Sequence, residues 1–242
     1  MNKIALLLLL ILVAGCASRA PARTQRVWDA SSIANYSHPI YFFRDEPSGK
    51  VIAAVTAADI KNMISVKDQV ENVSGPIRAK LLVSESTVPN AYSMQIQGKH
   101  MIAVNIGMIN LIGQDADAMA ALMGHELAHF YLNHEKQRQD REGERIANST
   151  ILSFAIGMFG VPIGPADFAT IAISKSFSRE DEREADRVGM ELMTTAGFDP
   201  CGAVRLQEKL ATASSVSKLP FLSTHPASAE RVENMKKLAA CD

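Results

Sequence analysis

His125-Glu126-Leu127-Ala128-His129 lies inside an apolar-periodic run from Asp117 to Leu132 that reads as a helix. At about 100° per residue, two histidines four apart project about 40° from one another, so both imidazoles can reach one metal ion. Glu126 falls on the same side, beside the metal and not necessarily on it. That geometry suits a zinc hydrolase. Two neutral imidazoles hold the ion, a third protein ligand completes the set, and an open position is left for a water whose pKa the metal lowers. Glu126 would take the proton from that water and pass it to the leaving amine. The pentapeptide fixes only three positions, however, and an exposed helix with two histidines and a salt-bridging Glu also satisfies it.

Moving toward the C-terminus, Phe130-Tyr131-Leu132-Asn133-His134 offers another histidine. On a continuing helix His134 would lie about 140° around from His129. The Gly of the longer H-E-x-x-H-x-x-G-x-x-H pattern is also replaced by Leu132, and the spacing is short by one. His134 is therefore read as a structural or surface histidine, and His38 and His100 as having no catalytic role. Glu135 to Arg145 is a charge run that suits a solvated turn or loop. Ile146 to Ile163 is apolar but broken by Gly157, Gly160 and Pro162, too short and interrupted for a membrane span. It reads as a helix and an apolar loop before a second helix starting near Pro165, serving as core, lid or contact surface.

That second helix carries Ser178-Arg179-Glu180-Asp181-Glu182-Arg183-Glu184-Ala185-Asp186, which holds five acids. Such a cluster is ordinarily an exposed helix face. Glu182 and Asp186 are four apart and share a face, so one can ligate zinc while the other hydrogen-bonds the free ring nitrogen of a ligand histidine. Glu180 and Glu184 are also four apart, and spacing alone leaves the choice open.

H-E-x-x-H, then S-R-x-x-E-x-E-A-D, then Thr224-His225-Pro226 with Arg231 resembles the zinc metallopeptidase family of HtpX and the CAAX prenyl proteases, which includes periplasmic lipoprotein members such as LoiP and BepA. The resemblance runs from about Asn90 to Leu238. It implies that His125 and His129 are zinc ligands, that Glu126 is the general base, that Glu182 is the third ligand, and that Asp186 supports the ligands from behind. It also implies that the segment from Asn90 to Met108 contains a substrate-binding edge strand, near Ile102 and Val104. The spanning helices of the membrane-embedded relatives are missing here, so the expected substrates are periplasmic proteins and CAAX processing is not implied.

Cleavage of a peptide bond builds an oxyanion that needs a cationic or hydrogen-bonding partner. His225 is the candidate for that role, or alternatively a fourth zinc ligand that keeps the enzyme latent, or simply a histidine at a helix entrance. Arg231 is expected to pair with an acid and hold this loop.

Upstream of the metal helix, Ala91 to Ile96 and His100 to Asn105 flank Gly98-Lys99 and read as a hairpin. Ile77 to Val83 reads as a strand, Asp59 to Val73 as a helix, and Ile40 to Phe43 with Val51 to Val55 as another hairpin. Asp115 or Asp117 can cap the metal helix.

At the N-terminus Lys3, an apolar run from Ile4 to Val13, and Val13-Ala14-Gly15-Cys16 form a secretory signal with the ending of a bacterial lipoprotein box. Cleavage before Cys16 would leave a lipid on that residue, and Ala17 in place of Asp directs such a lipoprotein to the outer membrane. The rival is an ordinary cleavage site near Ala17 or Ala20. Of the remaining cysteines, Cys201 and Cys241 are either a disulfide in an oxidising periplasm or two buried thiols. With 47% hydrophobic residues, 21% charged residues and a net charge of -1, nothing suggests nucleic acid as a partner.

The expectation is a signal peptide over 1–15, a tether over 16–35 and one metallopeptidase domain over 36–242. The fold is α+β and mainly helical, of zincin type, with a small antiparallel sheet beside the metal helix. The expected activity is endopeptidase action, with one Zn2+ per chain, on unfolded or misassembled envelope proteins. The chain would be lipid-anchored in the periplasm, with outer-membrane assembly machinery as a candidate partner. A chaperone or assembly factor that cuts rarely is the alternative, and a structural zinc lipoprotein a weaker one.

Overall fold

The helix α4, Ala116–Tyr131, is buried on every side from Ala118 to Phe130, so it runs through the middle of the protein. A computed structural model describes residues 27–35, 40–44, 51–96, 98–137, 177–214, 219–226 and 229–241. In chain order these form β1 (Val27–Asp29), α1 (Ala30–Ala34), β2 (Ile40–Arg44), β3 (Val51–Thr56), α2 (Ala57–Val73), β4 (Ala79–Ser84), β5 (Ala91–Ile96), β6 (Lys99–Asn105), α3 (Ile106–Ile112) and α4. They continue with α5 (Arg179–Thr195), α6 (Cys201–Ser214), α7 (Pro220–Thr224) and α8 (Ala229–Ala239). The described residues are thus mainly helical with a small sheet. The predicted signal peptide, Cys16 and the apolar stretch from Ile146 lie outside them, and the helix predicted to start near Pro165 and to carry Glu182 begins instead at Arg179, capped by Ser178. No described helix is long and apolar enough to cross a membrane.

Asp115 caps α4, its carboxylate accepting the Ala118 N–H at 3.0 Å. The same carboxylate and Asp117 each receive Arg205 of α6 at 2.9 Å. Arg205 therefore fastens α6 to the start of the metal helix. Helices α2, α5 and α6 pack around α4. The α4–α5 crossing is set by two glycines: a Cβ on Gly124 would lie 2.5 Å from the Gly189 carbonyl oxygen, and one on Gly189 would lie 2.7 Å from the His125 nitrogen. Ala128 and Ala185, both fully buried, continue this small-residue seam one turn along each helix.

Among the described residues β2 and β3 form a separate antiparallel hairpin, as predicted, and the four-stranded sheet has the order β1-β4-β6-β5 and is mixed, not antiparallel throughout as expected. The β5–β6 hairpin forms as predicted, turning at Gly98 with φ 75°. Its second strand inserts between β5 and β4, which makes β4 and β6 neighbours and parallel. Local alternation carries no information on which strand of a hairpin meets a third strand. The consequence corrects the substrate-strand expectation. Ile102 and Val104 are fully buried on β6, which is paired on both sides, so neither can receive an added strand. Among the described residues the terminal strands of this sheet are β1 and β5, and β5 pairs only with β6.

Two further expectations shift. The tether predicted to reach residue 35 gives way at Val27, where β1 pairs with β4 and places Trp28 opposite Val83. Ala30 and Ile33 of α1 are buried in the core. Elements of three and five residues are too short to show periodicity in sequence. The helix predicted from Asp59 starts at Ala57, with Thr56 and Asp59 forming a reciprocal capping box.

Cys201 and Cys241 are disulfide-bonded, with Cα atoms 5.9 Å apart, and join the start of α6 to the end of α8. A loop of 40 residues closed in this way is worth about 3–4 kcal/mol on the chain-entropy account.

Gly189→Ala forces a methyl group against α4 backbone and is expected to destabilise the protein by about 2–3 kcal/mol, measured by urea unfolding. Asp115→Ala removes the cap and is expected to cost about 1–2 kcal/mol at pH 7. Hydrogen bonds from Arg205, outweighing partial burial, hold the Asp115 carboxyl below its usual value. Its contribution is therefore complete above the free-Asp value of about 3.9 and is lost as pH falls through the depressed native value. Urea melts at pH 7 and pH 3 should show the gap between wild type and Asp115→Ala narrowing in acid.

Candidate metal centre

His125 and His129, four apart on α4, bring their Nε2 atoms to 3.1 Å of one another, fully inside the protein. Glu182 enters from the first turn of α5, where the Ser178 and Asp181 capping box starts the helix immediately ahead of it. Its Oε2 is 3.6 Å from His125 Nε2 and its Oε1 is 3.6 Å from His129 Nε2. His225, just after α7, closes the group: its Nδ1 is 3.1 Å from His125 Nε2 and 3.0 Å from Glu182 Oε1. One donor atom from each of these four residues lies within 4.8 Å of the others. Burial separates the two acidic pairs. Glu182 and Asp186 face inward, whereas Glu180 and Glu184 have side chains 69% and 48% exposed.

The outer contacts dictate which ring nitrogens face the centre. His125 Nδ1 meets Asp186 Oδ1 at 3.1 Å, so Nε2 is the atom left for the interior. Arg231, on α8, donates to both Asp186 oxygens, from Nε at 2.6 Å and Nη2 at 2.7 Å, while Nη1 lies 2.6 Å from Glu182 Oε2. Nη1 also donates to the Pro226 carbonyl at 2.9 Å. The expectation that Arg231 holds the His225 loop through an acid thus has a concrete form: one guanidinium bridges two carboxylates of α5 and the loop backbone. Phe177 lies 3.8 Å from the His129 ring in a stacked arrangement, and Phe221 stacks on His225 at 4.6 Å.

Charge follows from this geometry. Burial, reinforced by the nearby His125 and His225, holds His129 well below the usual histidine range, so the ring is neutral near pH 7. Burial alone would raise Glu182 and Asp186, but the adjacent histidines and Arg231 outweigh it and keep both carboxyls low. His225 is pushed the other way: burial lowers it, and Glu182 and Glu126 more than compensate.

Glu126 is fully buried on α4, and neither of its carboxylate oxygens has a hydrogen-bond partner among the described residues. Its Oε1 lies 3.6 Å from His225 Nε2, an atom equally without a hydrogen bond among the described residues. Close-set imidazole nitrogens, a carboxylate at their side and an unsatisfied carboxylate next to them are costly arrangements unless a cation and water complete them. The donor set of three imidazoles and one carboxylate fits a first-row divalent metal.

Of the two readings of His134, structural or surface, burial excludes the second. It is completely buried, and its Nδ1 lies 3.0 Å from His129 Nδ1. The 140° projection assumed a continuous helix, but α4 ends at Tyr131 and Asn133 turns with φ 56°. That left-handed step swings His134 back behind His129. The signal available in sequence was Asn133 itself, a residue that tolerates this conformation. His100 lies outside the metal centre, its ring 4.7 Å from Phe130, and His38 is outside the described residues.

The model of peptidase family M48 matches residues 56–239, and the chain belongs to this family. The metalloprotease LoiP of Escherichia coli is 24% identical over 204 residues, which are 81% of this chain and 76% of that protein. The mitochondrial metalloendopeptidase OMA1 of Arabidopsis thaliana is 30% identical over 155 residues, 63% of this chain. The β-barrel assembly-enhancing protease of Escherichia coli is 28% identical over 131 residues, 50% of this chain and 27% of that protein. The chain spans only 30% and 36% of the length of the plant and budding-yeast OMA1 proteins.

Removing one side of the buried Arg231 bridge leaves two carboxylates uncompensated. Arg231→Leu is expected to cost about 3–5 kcal/mol, and Arg231→Lys to recover little of it because a single ammonium cannot reproduce the forked contact. Chemical unfolding of both variants checks this.

Proposed function

We propose that the chain is a zinc-dependent endopeptidase of the bacterial cell envelope that acts on unfolded or misassembled proteins. The observation that carries this reading is the buried convergence of His125, His129 and Glu182 with Glu126 beside them, its carboxylate free of other bonds. His125, His129 and Glu182 would hold the ion. Zinc supplies Lewis acidity, which makes water a competent nucleophile near neutral pH. Glu126 accepts the proton of the attacking water at its carboxylate and delivers it to the leaving amine. Asp186 keeps His125 in the tautomer whose Nε2 faces the ion, and Arg231 keeps Asp186 in place. β5 packs against α4 and is a terminal strand of the sheet among the described residues, so an extended peptide would pair with its outer edge once that edge, buried at Ala91 to Met94, is uncovered.

His225 has two assigned roles, and its position favours one of them as the resting state. Its Nδ1 lies within hydrogen-bonding distance of both His125 and Glu182, inside the donor set. There it serves as a fourth ligand and keeps the enzyme latent until substrate or a partner moves the turn after α7. Once displaced, the same side chain can stabilise the oxyanion.

The envelope setting rests on the Val13-Ala14-Gly15-Cys16 signal ending, with a lipid on Cys16 and Ala17 directing the protein to the outer membrane. It is supported by likeness to relatives named LoiP and β-barrel assembly-enhancing protease. The second of these names also supports a link to outer-membrane protein assembly, which a chaperone using the same cleft would share.

Zinc content and casein cleavage, measured side by side on wild type and Glu126→Gln, test the reading. Both should bind one zinc, and the substitution should lower turnover about 10²–10⁴-fold. Zinc-loaded wild type that stays inactive, together with Glu126→Gln that still binds unfolded protein and restores envelope assembly in cells, would favour the chaperone. His225→Ala should keep its zinc. A rise in its turnover supports latency, a fall supports the oxyanion role, and wild-type turnover removes both.

A further inference from the structure

Behind the donor set runs a second line of contacts that the proposed chemistry does not use. His129 Nδ1 meets His134 Nδ1 at 3.0 Å, and His134 Nε2 meets Glu184 Oε2 at 3.2 Å. His134 is completely buried, whereas the Glu184 side chain is half exposed. The line therefore leads from the surface to a ring that faces the metal centre. We propose that His134 is a positioning residue for that centre, and that Glu184 is its anchor. The proposal rests on the reading of His129 as a zinc ligand.

Hydrogen-bond accounting allows only one arrangement. Two ring nitrogens 3.0 Å apart need one hydrogen between them, on one ring or the other. His129 ligates through Nε2, the atom facing His125 and Glu182, so Nε2 must present its lone pair and the ring hydrogen must sit on Nδ1. His134 Nδ1 is then obliged to accept. A neutral His134 accepting at Nδ1 carries its own hydrogen on Nε2, where Glu184 receives it. Each link has a single allowed direction, and the carboxylate at the surface end selects it. Were His134 to donate instead, His129 would carry its hydrogen toward the metal and could not ligate.

The backbone supports the same assignment. Asn133 adopts φ 56° immediately after α4 stops, which aims His134 at the back of His129. Glu184 sits on α5 two residues after Glu182, so the opposite faces of one helical turn serve the front and the back of the centre. Phe177, stacked on His129, restricts ring rotation, and the Nδ1 contact decides which nitrogen faces inward.

Zinc affinity of the full chain, read by competition with a chromophoric chelator, tests this without reference to turnover. His134→Ala is expected to weaken zinc binding about 10–100-fold, and Glu184→Ala about 3–10-fold. His134→Gln and Glu184→Gln keep an acceptor at the needed place and should bind zinc within about threefold of wild type. The visible spectrum of the cobalt-substituted protein should change in His134→Ala and not in His134→Gln. Because Glu184 is half exposed, its variants decide the matter if His134→Ala does not fold. Wild-type affinity in Glu184→Ala, or equal loss in His134→Ala and His134→Gln, overturns the proposal. His129→Ala separates the two readings: it must lose zinc for the ligand assignment to stand, whatever the His134 variants do.

Discussion

Everything at the metal centre depends on how closely α4 and α5 approach at Gly124 and Gly189. Helix axes with ordinary side chains between them stand about 8–10 Å apart. Here the backbone of one helix touches the missing side chain of the other, and the alanines Ala128 and Ala185 extend the seam. Short Glu and Asp side chains on α5 can therefore reach histidines on α4 without stretching. A wider crossing would leave the carboxylates in contact with solvent and the histidines without partners. The chemistry of the site is thus bounded by the absence of two Cβ atoms.

Arg231 solves the problem that this closeness creates. Two carboxylates and several imidazoles buried together are unfavourable until a counter-charge is present. The guanidinium bridges Glu182 and Asp186 and also reaches the Pro226 carbonyl. One residue therefore neutralises the α5 acids and fixes the backbone that presents His225. The Cys201–Cys241 disulfide fastens the far end of α8 to α6, and Arg205 fastens α6 to the start of α4. The centre sits in a closed ring of tied helices.

Much of this was legible in the residues. The apolar periodicity around His125 and His129 located α4, and two acids four apart on a second helix supplied the complementary face. Spacing could not choose Glu182 and Asp186 over Glu180 and Glu184, because the choice depends on which face α5 turns toward α4, a tertiary fact. Resemblance filled that gap. The mixed sheet was not legible, since alternation in β5 and β6 says nothing about which of them lies beside β4. Likewise β1 and α1 are held by pairing and burial, not by local pattern. The helical projection of His134 fails for a single reason: α4 stops three residues before it, and a left-handed Asn133 turns the chain by more than any helical wheel describes.

The order of the site residues along the chain has a consequence for biosynthesis. His125 and His129 are made first, Glu182 some fifty residues later, and His225 and Arg231 later still. The contacts that complete the centre are among those with the longest separation in sequence, and such contacts form late. During synthesis the histidine pair exists without its neighbouring carboxylate, its counter-charge or its clamp. The maturing chain therefore has no assembled hydrolytic centre while its own unfolded segments are still exposed to cutting. Activity is deferred by chain order until there is a folded domain to carry it.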